Sequence, residues 1–251
     1  MIDRNQLVYH EVLLERQSET TSLNDSKYPQ LAKKSSDGAY SYLVQRRVSA
    51  YITRFCVRRG ISASSATCID FVLALFASLF LYLGYFIAGV VFIQIFGIWS
   101  CVDGEIARLT KSTSQLGDFY DTMVDRIAEF LIVGALMLSM YRVSPDVSWG
   151  TIFFAYIGLA FLITASSEKY RSVFHENYPK NRVEPFFSWL CAGSDTRLLF
   201  LSLGIFAYAI SGYAAIVQGL MVIQSVLLGF NFLFRLWKMP KLIQMNEPIS
   251  E

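Results

Sequence analysis

Residues 100–125 read SCVDGEIARLTKSTSQLGDFYDTMVD. Asp103 and Arg108 follow one long apolar run, and Asp121 and Asp125 stand at the head of the next. Ionisable groups at the end of a membrane-embedded helix are costly and mark function by default. Carboxylates gathered there, beside one arginine and two glycines, read as a divalent-cation site that handles phosphates. Asp121 and Asp125 are four apart and share a helix face, with Asp118 close to it. Ser100, Asp103 and Ala107 share a face of the preceding helix. The polar LTKSTSQ between them turns the chain, so the two helices run antiparallel and their faces meet near one membrane surface.

Working outward, a spanning helix needs about 20 mostly apolar residues. Six segments qualify, roughly 64–83, 86–102, 118–140, 149–167, 196–211 and 213–236. Gly84 alone separates the first pair and Ser211-Gly212 the last, which predicts tight helical hairpins. Helices satisfy their own backbone hydrogen bonds, as a bilayer requires. The fold class expected is all-α integral membrane, a six-helix transmembrane bundle. Basic residues recur before the first span (Arg46, Arg47, Arg54, Arg58, Arg59), after the second (Arg108, Lys111), after the fourth (Lys169, Arg171, Lys180, Arg182, Arg197) and in the tail. The opposite side offers only Arg142, beside Asp146. Positive charge gathers on the inner side, so both termini and the carboxylate cluster are expected in the cytoplasm, in the plasma (inner) membrane.

Before the first span, Tyr40, Val44, Val48, Tyr51, Ile52 and Phe55 recur at helical spacing among arginines. That predicts an amphipathic helix at the headgroup level, attracted to anionic lipid. The organisation expected is a polar segment over 1–37, the interfacial helix over 38–60, a catalytic bundle over 61–237 and a cytoplasmic tail over 238–251.

Composition agrees. The chain has 251 residues, is 54% hydrophobic and carries 20 Phe, 14 Tyr and 4 Trp. Its mean hydropathy is +0.40, whereas a soluble domain is about 45–50% apolar even with Gly counted. The net charge of +2 says little, and no nucleic-acid partner is expected. Residues 1–35 show no basic region followed by an apolar core, so no cleavable secretory signal is expected. Cys56, Cys68, Cys101 and Cys191 lack metal-ligand spacing and read as reduced thiols. His10 and His175 receive no role. A transporter would need polar groups through the bilayer centre, and Asp70, Gln94, Gln218, Gln224 and Asn231 are only scattered. Asp70 is expected to snorkel or to pair within the bundle.

Three or four carboxylates held close in a low dielectric repel one another strongly, and divalent cations resolve the conflict. All-oxygen ligation favours Mg²⁺ or Mn²⁺ over zinc. Gly104 and Ala107 keep a helix face small enough for a bulky ligand, Gly117 allows close approach, and Arg108 can grip phosphate bidentately. A remaining carboxylate can take the proton from an attacking hydroxyl.

The pattern Asp103-Gly104, Ala107-Arg108, Gly117, Asp121, Asp125 resembles the CDP-alcohol phosphotransferase (phosphatidyltransferase) family, with every spacing kept, and the wider resemblance covers about residues 38–237. It implies transfer of a phospho-alcohol from a CDP-linked donor, CDP-diacylglycerol or a CDP-polyol, to an acceptor alcohol or polyol phosphate, with release of CMP. By matching position it implies Asp103 and Asp121 as ligands of two Mg²⁺ or Mn²⁺ ions. Asp125 becomes the base and a further metal ligand, and Gly104, Ala107, Arg108 and Gly117 the CDP-binding surface. A homodimer is implied as well. The family pattern opens with another Asp three residues before Asp103, where this chain has Ser100. Three accounts of Ser100 stand side by side: a variant that uses Asp118, water or substrate oxygens instead; a nucleotide-binding membrane protein without turnover; or an inactivating substitution. At the first span the family often shows Pro-Asn-x-x-Thr, and of this only Thr67 is kept. Glu105 and Glu129 are expected to be structural. Lys169, Arg171, Arg182 and Arg197 are candidates for an acceptor-phosphate pocket, Arg197 foremost.

Overall fold

The computed structural model describes the backbone of residues 37–246 and side chains up to residue 240. The expectations for residues 1–36 and 247–251 lie outside the described residues. A π-helical turn, Ser41–Gln45, leads into α1 (Arg46–Arg58). Then follow α2 (Ala63–Tyr82), α3 (Phe86–Trp99), α4 (Val102–Leu109), α5 (Gln115–Val143) and α6 (Ser148–Phe174). Two short helices, α7 (Lys180–Val183) and α8 (Pro185–Leu190), precede α9 (Ser194–Ser211) and α10 (Ala214–Asn246). Among the described residues there is no strand.

Each of the six apolar segments is a helix. Four stretches are long and apolar enough to cross a membrane: Ala63–Tyr82, Phe86–Leu109, Ser148–Phe174 and Ala214–Pro240. The other two helices open on charge, α5 with Asp118, Asp121, Asp125, Arg126 and Glu129, and α9 with Asp195 and Arg197. The last helix continues through Pro240 to Asn246, beyond the point where a tail was expected.

Local chemistry sets the helix ends. Ser62 caps α2 by accepting from the Ser65 N–H (3.2 Å), and Ser114 caps α5 through the Gly117 N–H (3.0 Å). At the end of α2, Gly84 takes the left-handed conformation (φ 84°), with bonds from the Tyr85 N–H to the Phe80 carbonyl (2.8 Å) and from the Gly84 N–H to the Leu81 carbonyl (3.0 Å). That turn reverses the chain into α3 as the hairpin pattern predicts.

α2 packs along α5 and α3, α6 along α10 and α5, and α9 along α3 and α10. Ala66, Ala74 and Ala77 of α2 and Ala128 of α5 are fully buried, so small side chains let the helices approach closely. Ile93, Ile132, Leu136, Met140, Tyr156 and Leu201 fill the space between the helices. α1 turns Arg46, Ser49, Thr53 and Cys56 inward and leaves Val48, Tyr51 and Phe55 exposed. Its arginine-flanked apolar stripe therefore faces away from the protein.

Candidate active site

The motif occupies the α3–α4 bend and the first turns of α5. Ser100 caps the end of α3, and Asp103 falls in the first turn of α4. Asp103 is buried, and both its oxygens are held. Oδ2 accepts from Thr67 Oγ1 of α2 (2.8 Å) and Oδ1 from the Gly104 N–H (2.6 Å). Across the turn, the Asp121 carboxyl is in hydrogen-bond contact with that of Asp103. One turn along α5, Asp125 Oδ1 accepts from Ser100 Oγ (3.2 Å), with Arg126 Nη2 3.9 Å from Oδ2. The structure thus brings Asp103, Asp121 and Asp125 together. Among the described residues, no set of three or more His, Cys, Asp or Glu is already closed around a metal position.

Asp118 pairs with Arg171 of α6 on a half-exposed surface. Asp70 of α2 neither snorkels nor pairs. It is 1% exposed, its Oδ1 has no hydrogen-bond partner, and its charged neighbours are Asp125, Asp103 and Asp121. An unpaired carboxylate buried among three others is the least expected feature of the bundle. The only sequence signal was its place three residues after Thr67, on the same helix face.

A cavity of about 190 Å³ opens beside Asp121 and Asp125. Its other walls include Ser41 and Arg46, Ser100, Lys180 and Asp195. Gly104, Ala107, Arg108 and Gly117 do not line it. They lie along α4 and the start of α5, where a Cβ at Gly104 would be 3.2 Å from Arg108 Nη1.

Around the cavity the charges are tied down. Arg46 bonds Asp37 (3.0 and 3.2 Å), Glu105 Oε1 (3.0 Å) and the Cys101 carbonyl (3.1 Å). Burial works against the Arg46 charge, but its anionic neighbours, Asp37 among them, outweigh it and hold its pKa above the ordinary arginine value. Glu105 is fully buried and also accepts from Ser49 (2.7 Å) and Thr53 (2.6 Å), fastening α1 to α4. Asp195 accepts from the Ser41 N–H (2.7 Å), and a Cβ on Gly38 or Gly193 would strike its carboxylate. Both glycines thus make room for the acid.

Arg197 is not a phosphate ligand in waiting. It is 1% exposed, grips Glu129 through Nε (2.7 Å) and Nη2 (2.8 Å), and donates to the Cys191 carbonyl (3.0 Å). A third bond to Glu129 comes from Arg126 (2.7 Å). Lys169 and Arg182 are exposed, and Arg171 is committed to Asp118. Lys180 is the cation of that loop which reaches the cavity, and burial lowers its pKa. Sequence reading counted it only as inner-side charge.

Acids from two helices thus meet beside a cavity in an all-helical bundle of membrane type. The sequence profile described as CDP-alcohol phosphatidyltransferase matches residues 61–237, and the chain belongs to that family. A curated bifunctional IPC transferase and DIPP synthase of Archaeoglobus fulgidus is 28% identical over 180 residues, covering 71% of this chain and 34% of that protein. A phosphatidylinositol phosphate synthase of Streptomyces avermitilis is 33% identical over 93 residues, 37% of this chain and 38% of that protein. The chain spans between about a third and a half of the length of the curated relatives it matches. The crystal structure of Mycobacterium tuberculosis phosphatidylinositol phosphate synthase with CDP-DAG bound shares the fold. It has a TM-score of 0.61 and 17% identity, covering 76% of this chain and 92% of that one. The same enzyme has been crystallised with manganese and citrate, with a TM-score of 0.58 and 17% identity over 75% of this chain and 87% of that one.

Proposed function

We propose that this chain transfers a phospho-alcohol group from a CDP-linked donor to an acceptor alcohol and releases CMP. The observation that carries the reading is the meeting of the Asp103 and Asp121 carboxyls, from separate helices, with Asp125 one turn on at the cavity edge. Two ionised carboxylates 4 Å apart repel by about 4 kcal/mol at an effective dielectric of about 20. Such a pair is stable when it shares a proton or a cation, and its all-oxygen donors fit Mg²⁺ or Mn²⁺. Asp103, Asp121 and Asp125 would hold one or two ions. Bound there, the ions neutralise the pyrophosphate and polarise its phosphorus–oxygen bonds.

The chain's own residues do the rest. Arg108, with the small faces of Gly104, Ala107 and Gly117, receives the donor diphosphate. The cavity is smaller than the roughly 300–1,000 Å³ of sites for drug-sized ligands, so it suits a small polar alcohol or polyol phosphate rather than the nucleotide. Lys180 there faces an acceptor phosphate. Ser100 steadies Asp125, which takes the proton of the acceptor hydroxyl. That oxygen bonds to the phosphorus bearing the alcohol, the bond from that phosphorus to the CMP oxygen breaks, and CMP leaves with the electron pair.

The same reading places all six long helices across the membrane, with both termini and the site on the cytoplasmic face of the plasma membrane. It lays residues 38–60 in the headgroup region and makes 61–237 the catalytic bundle, in a homodimer. The outward Val48, Tyr51 and Phe55 stripe and the basic inner loops support it. A nucleotide-binding protein without turnover is the second reading. Ser100 favours it, since a hydroxyl occupies the motif position next to Asp125.

Vesicles containing the protein, Mg²⁺ and CDP-diacylglycerol or a CDP-polyol, offered inositol phosphate, glycerol phosphate and unphosphorylated alcohols, should release CMP. Asp125→Asn should slow release by about 10²–10⁴-fold. Release from Ser100→Asp protein but not from the natural sequence would overturn the enzymatic reading and leave the binding one.

A further inference from the structure

We infer that Asp70 is the fourth carboxylate of the cation site, supplied from α2 where position 100 of the motif supplies only a hydroxyl. The inference rests on the cation reading above and names a ligand that the motif does not contain. Asp70 is 1% exposed, and its Oδ1 has no hydrogen-bond partner. A buried carboxylate is ordinarily paired, bonded or bound to a metal. Among the described residues Asp70 has none of these partners: the charged groups acting on it are Asp125, Asp103 and Asp121, all of its own sign.

The placement follows from the helix. Thr67 and Asp70 are three apart on α2 and share a face. Thr67 Oγ1 reaches Asp103 Oδ2 at 2.8 Å, so that face is turned to the motif acids. α2 packs on both α4 and α5, the two helices that carry those acids. The guanidinium of Arg126, beside Asp125 (3.9 Å), bonds Glu129 (2.7 Å) and Thr164 (3.0 Å). Ser100 Oγ already donates to Asp125, so it completes the site as a hydrogen-bond donor rather than as an anion. Among the described residues nothing neutralises Asp70, and a divalent cation among the four acids would.

The test uses the full chain in lipid nanodiscs and reads Mn²⁺ binding by the loss of the free Mn²⁺ electron paramagnetic resonance signal, with Mn²⁺-dependent melting as a second measure. Asp70→Asn, of the same shape, should weaken Mn²⁺ by about tenfold or more, on the scale at which groups around a metal act. Its melting temperature without Mn²⁺ should be at least that of the natural protein, because an unpaired buried charge is gone. Adding Ser100→Asp to Asp70→Asn should restore Mn²⁺ affinity to within about threefold, the carboxylate count being the same. Ser100→Asp alone, which leaves Asp70 untouched, should tighten Mn²⁺ by less than about threefold, since the set is already complete. Unchanged Mn²⁺ affinity in Asp70→Asn, with affinity lost in Asp103→Asn, overturns this inference and leaves the cation site standing. A natural protein that takes up no Mn²⁺ overturns both.

Discussion

The hydroxyl of Thr67 and the ammonium of Lys180 do work that neighbouring acids cannot do for themselves. Thr67 fixes one oxygen of Asp103, which leaves the carboxyl aimed at Asp121. Thr67→Val keeps the shape and removes the donor. Mn²⁺ affinity should fall by about 10–100-fold, the usual effect of losing a group that orients a ligand, while folding loses only about 1–2 kcal/mol. Melting curves with and without Mn²⁺ separate the two effects. On the proposed function, Lys180 serves the acceptor end. Burial lowers its pKa below the ordinary lysine value of about 10.5, so its positive charge is lost at lower pH than a free lysine's. A phosphate-bearing acceptor binds the protonated form. Its KM should therefore climb with rising pH before pH 10.5, while the donor KM does not share that climb. Lys180→Gln should raise the acceptor KM at neutral pH and flatten the profile. Equal effects on both substrates would remove Lys180 from the acceptor site.

At the scale of elements, one buried acid gathers most of the polar bonds that hold α1 to the bundle, beside the Arg46 bond to the Cys101 carbonyl and the packing of Cys56 on Ala66, Val102 and Ile106. Glu105 of α4 takes three bonds from α1, from Arg46, Ser49 and Thr53. Glu105→Ala takes the carboxylate acceptor from Ser49 and Thr53 and leaves Arg46 with Asp37 and the Cys101 carbonyl. Removing one partner of a buried pair costs about 3–5 kcal/mol, and unfolding in detergent should show a loss of that size. Part of this was legible in the sequence, because the 3.6-residue period marked a helix here; of the stripe it named, Val44, Val48, Tyr51 and Phe55 are exposed, whereas Tyr40 bonds Gln94 and Ile52 packs inward. The inward face was not legible. Arg46 reads as another surface arginine until Asp37 and Glu105, 9 and 59 residues away, are seen to surround it. The hairpins were legible because Gly84 and Gly212, both at positive φ, are local signals.

Across the whole molecule, buried ion pairs join helices that the sequence keeps far apart. Arg197 of α9 locks onto Glu129 of α5, 68 residues away. Arg235 of α10 binds Glu184 (2.5 Å), the Ile163 carbonyl (2.6 Å) and Ser167 (2.7 Å), pinning the α7–α8 segment to α6. In a membrane-type bundle such links fix which helices are neighbours where apolar packing alone discriminates weakly. Arg197→Met leaves Glu129 with Arg126 only and should destabilise by about 3–5 kcal/mol. The double variant Arg197→Met with Glu129→Leu should be more stable than Arg197→Met alone, because the buried Glu129 charge is gone while Arg126 keeps Thr164 (3.0 Å) and Asp125 (3.9 Å). Chemical denaturation of the three proteins in one detergent decides it, and additive losses would show that the pair is not coupled.

The sequence by itself determined the six helical segments, the two hairpin turns and the spacing that sets Asp103, Asp121 and Asp125 on facing sides of adjacent helices. Those are matters of helical period, turn chemistry and short connection, which neighbouring residues encode. Only the tertiary structure decided that Asp118 goes to Arg171, that Arg197 is spent on Glu129, that Lys180 reaches the cavity and that Asp70 joins the acids. Each depends on which distant helix a side chain meets. A charge shows its role only once the groups that neutralise it, or fail to, are in place around it.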